Sequence, residues 1–323
     1  MGQSELEKYF NLYSTNLTRV REALGSQLHV EPAIDGIMFC PICLRIFSCE
    51  DLQSGDLTLE HVPPEKLGGK IRTVTCKKCN NDNGTLLDSH LIRKVQLDGF
   101  FAGTSQSPID VEVDISDSIR MPVNLFHDQH SNFTIVPPRK IQKKQSHLVE
   151  AFTKQVTEGK VQKVHIRGRA YKNFNVNKAL LRVGYLWAFS VFGYGFIIGP
   201  NLKEIRSQIR EMSQPVQSPT WSSLEYDIPD KFLGINVIKS PKEALAFFVV
   251  FDCKVQGHTS RYGVMLPGFD EPGLDIYQWL AEHERQIFAF EVHPLIGALE
   301  ILDFNKHPLA AQEIWQMLKQ ITQ

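Results

Sequence analysis

The spacing of apolar and polar residues predicts a helix near each end of the chain and a mixture of helices and strands between them. Steps of three and four between apolar residues predict an N-terminal helix over residues 3–24, which Gly25 would end. The same spacing predicts helices after Cys79 and at 146–157, 176–192, 201–212, 273–284 and 309–321. Alternating or continuously apolar runs predict strands at 57–61, 71–75, 109–115, 132–137, 244–251, 262–266 and 286–292. The overall prediction is an α+β fold.

Turn-forming residues at 103–108 predict a boundary within the chain. We therefore expect an N-terminal helix and connector at 1–36, a cysteine-containing domain at 37–103 and a larger mixed α+β domain at 104–323. The stretch 183–202 carries no charge, but its glycines and Pro200 favour a buried helix followed by a turn and a strand over a membrane span.

Composition is that of an ordinary globular protein, with 42% hydrophobic residues and a net charge of −1, and it excludes collagen-like, coiled-coil and wholly disordered chains. The charge is unevenly spread, because residues 139–172 hold ten Lys or Arg and only two Glu. Such a segment suits a phosphate backbone, although a solvated protein surface remains an alternative. The residues predicted to bind nucleic acid are Lys140, Lys143, Lys144, Arg167 and Arg169.

Four of the six cysteines form two C-x2-C pairs, Cys40 with Cys43 and Cys76 with Cys79. The N-terminus lacks the pattern of a secretory signal, so we expect a cytoplasmic location, where paired thiols favour a structural zinc site over disulfides. The isolated Cys49 and Cys253 are predicted to be small apolar residues.

Between the cysteine pairs, the strand at 57–61 must end before Pro63 and Pro64, which cannot donate to a sheet ladder. In a regular strand Glu60 and His61 would point to opposite faces, so they could serve one site only if the strand end twists. Gly68 and Gly69 permit a sharp turn before the second strand.

Taken together, these pieces resemble the HNH endonuclease family, in the variety that carries a four-cysteine zinc site. The matching pieces are the two C-x2-C pairs, EHVPP at 60–64, LGG at 67–69, the Asn80 that follows Cys79, and Gly84. The resemblance covers about residues 39–90 and implies a ββα-metal fold, in which a hairpin and a helix hold one divalent cation.

The resemblance also implies roles for individual residues. His61 is similar to the general base that activates water, and Glu60 and Asn80 are similar to metal ligands, with Asn83 as an additional contact. An imidazole can accept a proton near neutral pH, and carboxylate and amide oxygens favour Mg²⁺ or Mn²⁺ over zinc. The middle Asn of the family is absent, because Ile71, Arg72 and Thr73 occupy that stretch, and the support of His61 is therefore left open.

The leading hypothesis is a metal-dependent endonuclease that hydrolyses DNA, and the resemblance suggests defence against foreign DNA as its context. The C-terminal domain would select the substrate, sense an activating ligand or bind a protein partner, and no membrane is involved. Two alternatives remain: a non-catalytic zinc-knuckle module that binds nucleic acid or protein, and a nuclease that is silent until its second domain is engaged. RNA as substrate and a homodimer are also left open.

Overall fold

The computed structural model of the chain describes residues 4–25, 35–105, 107–116, 119–128, 130, 132–144, 146–160, 164–168, 170–211, 220–222, 227–269, 275–282, 289–297 and 302–322. The predicted α+β class is confirmed. Helices among these residues are α1 Glu5–Leu24, α2 Asp51–Ser54, α3 Lys77–Asn83, α4 Ser89–Phe101, α5 Arg139–Lys144, α6 Ser146–Thr157, α7 Asn173–Phe192, α8 Tyr194–Ile197, α9 Pro200–Arg210, α10 Asp275–Glu282 and α11 Ala310–Thr322. A π-helical turn, Gly84–Asp88, joins α3 to α4.

The strands form four sheets among the described residues. They are β1 Met38–Phe39, β2 Ile46–Phe47, β3 Leu57–Val62, β4 Lys70–Cys76, β5 Ile109–Ser116, β6 Ile119–His127, β7 Phe133–Val136, β8 His165–Gly168, β9 Thr220–Ser222, β10 Gly234–Ser240, β11 Ala246–Val255, β12 His258–Leu266 and β13 Glu291–Gly297. Two are hairpins, β1–β2 and β3–β4, and the larger sheets have the orders β13-β10-β11-β12-β9 and β7-β6-β5-β8.

The chain divides into two compact units whose limits differ from the expected domains. One unit comprises residues 1–91, 173–253 and 260–323, and the other comprises 92–172 and 254–259. The expected boundary at 103 and 104 lies inside the second unit, and the cysteine-containing segment shares the first unit with both chain ends. Residues distant in sequence are therefore part of the surroundings of the cysteines.

The first unit is built around α7, whose side chains are buried on nearly every side. Tyrosines of α7 and α8 contact the β1–β2 hairpin. The hydroxyl of Tyr185, in α7, donates to the carbonyl of Pro41 at 2.7 Å, and that of Tyr194, in α8, donates to the carbonyl of Phe39 at 2.6 Å. A helix that is apolar all round is expected to be a core helix. The burial of α7 explains why the stretch that begins at Val183 carries no charge.

Helix α1 packs on the same core. Ser4 and Glu7 form a capping box at its start, and Tyr13 stacks on Phe189 of α7 at 4.8 Å between ring centroids. Asn16 is fully buried, and its amide oxygen accepts from the backbone nitrogen of Tyr194 at 2.7 Å. The N-terminal helix is thus an integral part of the unit.

The second unit has a four-stranded antiparallel sheet with one buried face. Alternate residues of β5 and β6, such as Val111 and Val123, form a core with Phe100 of α4, against which Val149 and Phe152 of α6 pack. On β5, Asp114 lies opposite His165 of β8. Its carboxylate accepts from Arg120 at 3.2 Å and from Arg167 at 3.3 Å.

Several local predictions were wrong or incomplete. The strand expected after α7 is instead the short helix α8, which follows a turn at Gly193 with φ of 66°. Strand β6 was not predicted, although its apolar residues alternate with Arg120, Pro122 and Asn124, because a proline within a run argues against a strand. Cys49 is exposed rather than packed, whereas Cys253 is buried as expected.

No helix among the described residues combines the length and apolar character that crossing a membrane requires.

We predict that Gly69→Ala destabilises the protein, because a Cβ there would lie 1.5 Å from the backbone oxygen of Pro63. Backbone cannot yield as a flexible side chain can, so we expect a loss of about 1–3 kcal/mol in the free energy of unfolding. Gly84→Ala is the matched control, since nothing lies within 4 Å of its Cβ position. Denaturant unfolding measures both, and equal stabilities for the two variants would contradict the close approach at Gly69.

Candidate functional site

The four predicted zinc ligands come together in one cluster. Cys40 and Cys43 lie in the turn between β1 and β2, Cys76 ends β4 and caps α3, and Cys79 lies in the first turn of α3. Their sulfur atoms all lie within 4.8 Å of one another. Four thiolates at about 2.3 Å from zinc would stand about 3.8 Å apart, and the Sγ atoms of Cys43 and Cys76 are 3.7 Å apart. The cluster therefore fits a tetrahedral zinc ion.

The four thiols of the cluster influence one another. Hydrogen bonding with Cys40 lowers the pKa of Cys43 to about 6 and also lowers that of Cys76, whereas hydrogen bonding within the cluster raises the pKa of Cys40 and of Cys79. Hydrogen bonding to Cys76 raises the pKa of Arg45, which lies beside the sulfurs. Because zinc binds the thiolate form, its binding would have to displace the protons that the cluster retains.

The β3–β4 hairpin is irregular at the predicted active residues. Glu60 lies opposite Thr73, but His61 lies opposite Ile71, so Arg72 is an extra residue on β4. A bulge of this kind redirects side chains and often lies beside a functional site. The extra residue lies on β4, opposite Glu60 and His61, and that these two side chains serve one site stays a prediction. The two differ in exposure, since Glu60 is 3% exposed and His61 is partly exposed.

Helix α1 supports the hairpin where the family's middle Asn is absent. The hydroxyl of Tyr9 donates to the carbonyl of Ile71, and that of Tyr13 donates to the carbonyl of Arg72, each at 3.1 Å. The guanidinium of Arg72 also lies over the ring of Trp187 in α7, 3.8 Å from its centroid. Contacts from outside the hairpin thus fix the strand that lies opposite His61.

The carboxylate of Glu60 is fully engaged. Its Oε1 accepts from Nη2 of Arg182 at 2.5 Å, and its Oε2 accepts from the hydroxyl of Thr75 at 2.9 Å. Nη1 of the same arginine donates to both oxygens of Asp88, at 2.9 and 3.1 Å. Arg182 is 1% exposed and lies in the middle of α7. We call Glu60, Asp88 and Arg182 the buried ion triad.

Charge within the buried ion triad is partly balanced. Burial raises the pKa of Asp88, which Arg182 opposes and Glu60 reinforces. Burial by itself would lower the pKa of Arg182, but the two carboxylates raise it above its ordinary value. The guanidinium therefore stays charged, and one cation faces two carboxylates in a region closed to water.

The helix contributes the predicted asparagines. Nδ2 of Asn80 donates to the hydroxyl of Thr58 at 2.9 Å and to the carbonyl of Leu59 at 3.4 Å, which places its side chain against β3. Asn83 is 4% exposed. Because Asn80 uses its nitrogen as a donor, its Oδ1 is the atom that could bind a cation.

The residues as placed do not fit an exchangeable Mg²⁺ or Mn²⁺ at Glu60. A cation that meets a substrate must be reachable from solvent, and the Glu60 carboxylate is buried with both oxygens accepting hydrogen bonds. Among the described residues, the four cysteines are the one cluster of three or more metal-binding side chains. Glu60, Asn80 and Asn83 as cation ligands therefore stay a prediction.

Sequence inspection missed Arg182. The signal was present, because a charged residue within a buried apolar helix is almost always paired. Sequence alone does not reveal the partner. The partner Asp88 is 8% exposed and pairs with Arg182.

The predicted nucleic-acid contacts belong to the second unit. Lys140 and Lys143 are exposed on α5, which also contains Lys144. Arg167 is exposed, but it pairs with Asp114. Arg169 lies outside the described residues. The exposed lysines of α5 are thus the members of this set best placed to meet phosphate.

Residues 40–96 match the family model described as HNH endonuclease. The match includes both cysteine pairs, the β3–β4 hairpin, α3 and the π-helical turn, and it confirms the resemblance found in the sequence. A search of curated proteins and a search of solved structures each found no match.

We predict that Cys76→Ser loses the bound zinc, because three thiolates and a hydroxyl hold zinc less tightly than four thiolates. The expected result is a fall from about one zinc per chain to nearly none, with a drop of about 10 °C or more in the unfolding temperature. Elemental analysis and thermal unfolding measure the two effects. Cys49→Ser is the matched control, since Cys49 is exposed and lies outside the cluster. Retention of zinc by Cys76→Ser would contradict the assignment.

Proposed function

We propose that the protein is an HNH endonuclease that hydrolyses phosphodiester bonds in DNA with the help of Mg²⁺ or Mn²⁺. The observation that carries the proposal is the match of residues 40–96 to the family, together with a hairpin that is bulged at Glu60 and His61 and joined to a four-cysteine cluster. The zinc is structural in this proposal, because its four thiolates leave no position for a substrate.

His61 is the proposed general base. Its partly exposed side chain can be reached by water and a phosphodiester, and an imidazole can take the proton of the attacking water near neutral pH. The bonds from Tyr9 and Tyr13 to the strand opposite it hold the hairpin in place. The cation proposed from the family resemblance would stabilise charge at phosphorus, and Asn80 and Asn83 are its proposed ligands. The resemblance also implies Glu60 as a ligand, but the carboxylate as placed is held by Arg182 and Thr75 and does not fit an exchangeable cation.

The second unit is proposed to bind the DNA backbone through Lys140, Lys143 and Lys144. Support comes from the net positive charge of residues 139–172 and from the exposure of the first two lysines. Defence against foreign DNA in the cytoplasm, and an activating ligand or protein partner at the C-terminal region, remain proposals that rest on the resemblance.

A second candidate function is a non-catalytic zinc-knuckle module that binds nucleic acid. The observation that favours it is the engagement of both Glu60 oxygens in a buried site. The two candidates differ in the effect of His61, since a binding module has no use for a general base.

We predict that His61→Ala lowers the rate of plasmid cleavage by about 10²- to 10⁴-fold, because it removes the general base. Wild type and variant are compared with Mg²⁺ or Mn²⁺ and with EDTA, and zinc content is measured on the same preparations. His307→Ala is the matched control, since His307 is exposed and far from the hairpin in sequence. Undiminished cleavage by His61→Ala would overturn its role. No cleavage by zinc-loaded wild type would favour the binding module or a nuclease that is silent until its second domain is engaged.

We predict that Lys140→Ala/Lys143→Ala weakens DNA binding by lost phosphate contacts. The slope of log affinity against log salt concentration should fall in magnitude by about 2, which a fluorescence titration at several salt concentrations measures. Lys203→Ala/Lys242→Ala removes two exposed lysines of the first unit as a control. The same slope for wild type and the α5 variant would rule out these lysines as phosphate contacts.

A further inference from the structure

The buried ion triad has the charge pattern of a metal site with a side chain in place of the metal. Glu60 comes from β3 and Asp88 from the end of the π-helical turn, and both lie inside the stretch that matches the HNH family. The cation between them comes from α7, which lies outside that stretch. Two carboxylates that converge in a buried site need a cation, and here the chain itself supplies it.

The binding geometry leaves little room for a competitor. Arg182 uses one terminal nitrogen for Glu60 and the other for both oxygens of Asp88, so the planar guanidinium spans the two carboxylates. The remaining Glu60 oxygen accepts from Thr75. Glu60, Asp88 and Arg182 have exposed fractions of 3%, 8% and 1%, so water screens their interaction only weakly.

We propose that Arg182 is a built-in cation that takes the place of a divalent metal at Glu60 and Asp88. With Arg182 bound, both carboxylates have their counter-charge from the chain itself, and Glu60 is withheld from a divalent cation. This inference rests on the proposed function, because it concerns a predicted ligand of the same site.

The test asks whether a divalent metal can replace the guanidinium. Arg182→Met keeps an unbranched side chain but leaves two buried carboxylates without a cation. We expect its unfolding temperature to fall well below that of wild type and to rise by about 5 °C or more on addition of saturating Mn²⁺. Wild type should show no comparable rise, and four thiolates prefer zinc to Mn²⁺, so the cysteine cluster should not respond.

Two control variants separate this effect from a general loss of packing. Arg206→Met removes another buried arginine, one whose Nη1 donates to the backbone carbonyl of Ile197, and it should be destabilised without a response to Mn²⁺. Glu60→Gln/Asp88→Asn/Arg182→Met removes the carboxylates as well, and its unfolding temperature should also be independent of Mn²⁺. Equal Mn²⁺ responses in Arg182→Met and Arg206→Met would overturn the proposal.

Two further measurements test the proposal, one with another variant of Arg182 and one by Mn²⁺ titration. If Arg182→Met folds neither with nor without Mn²⁺, Arg182→Lys decides, because an ammonium cannot span both carboxylates and Mn²⁺ should still stabilise this variant more than wild type. Mn²⁺ titrations of wild type and Glu60→Gln should give the same affinity, and weaker binding by Glu60→Gln would show that Glu60 is already available and overturn the proposal. These readouts do not depend on cleavage, so failure of the nuclease assay and failure of this inference are distinguishable.

Discussion

The ion pairs of Arg182 with Glu60 and Asp88 connect the parts of the first unit that the rest of the site depends on. The arginine is fixed in the middle of a buried helix, and its two partners lie on the hairpin and on the helical segment that follows the cysteines. Removing one member of such a network leaves a buried charge without its counter-charge, which is a far larger cost than losing a surface ion pair. Hairpin, helix and α7 are therefore held as one body within this unit.

The HNH-like segment is consequently no free-standing module. Its cysteine cluster is bordered by hydrogen bonds from Tyr185 and Tyr194, and its hairpin is held by Tyr9 and Tyr13 of α1. These aromatic residues bury their rings in the core and use their hydroxyls to satisfy backbone carbonyls. Such contacts can substitute for the missing middle Asn, which in the family helps to hold the hairpin. A mutation in α7 can therefore affect the site without lying in the family motif.

The four cysteines and the two buried carboxylates are stabilised in different ways. The cysteines gain stability by coming together, because zinc offsets the proximity of their charges. The carboxylates of Glu60 and Asp88 are held together by a guanidinium instead, which makes them stable without metal. One consequence is that the structural centre and the proposed catalytic centre should respond differently to chelators.

The sequence by itself determined the local features: the α+β class, most helices and strands, the pairing of the four cysteines in two turns, and the placement of Glu60 and His61 at the end of a strand. These follow from periodicity and from short spacings, which act over a few residues. Tertiary structure alone decided that Arg182 binds Glu60, that α1 supports the β4 strand, and that the chain ends share a unit with the cysteines. The physical reason is that a buried charge must find a counter-charge somewhere, while only the folded packing of distant segments determines which one it meets.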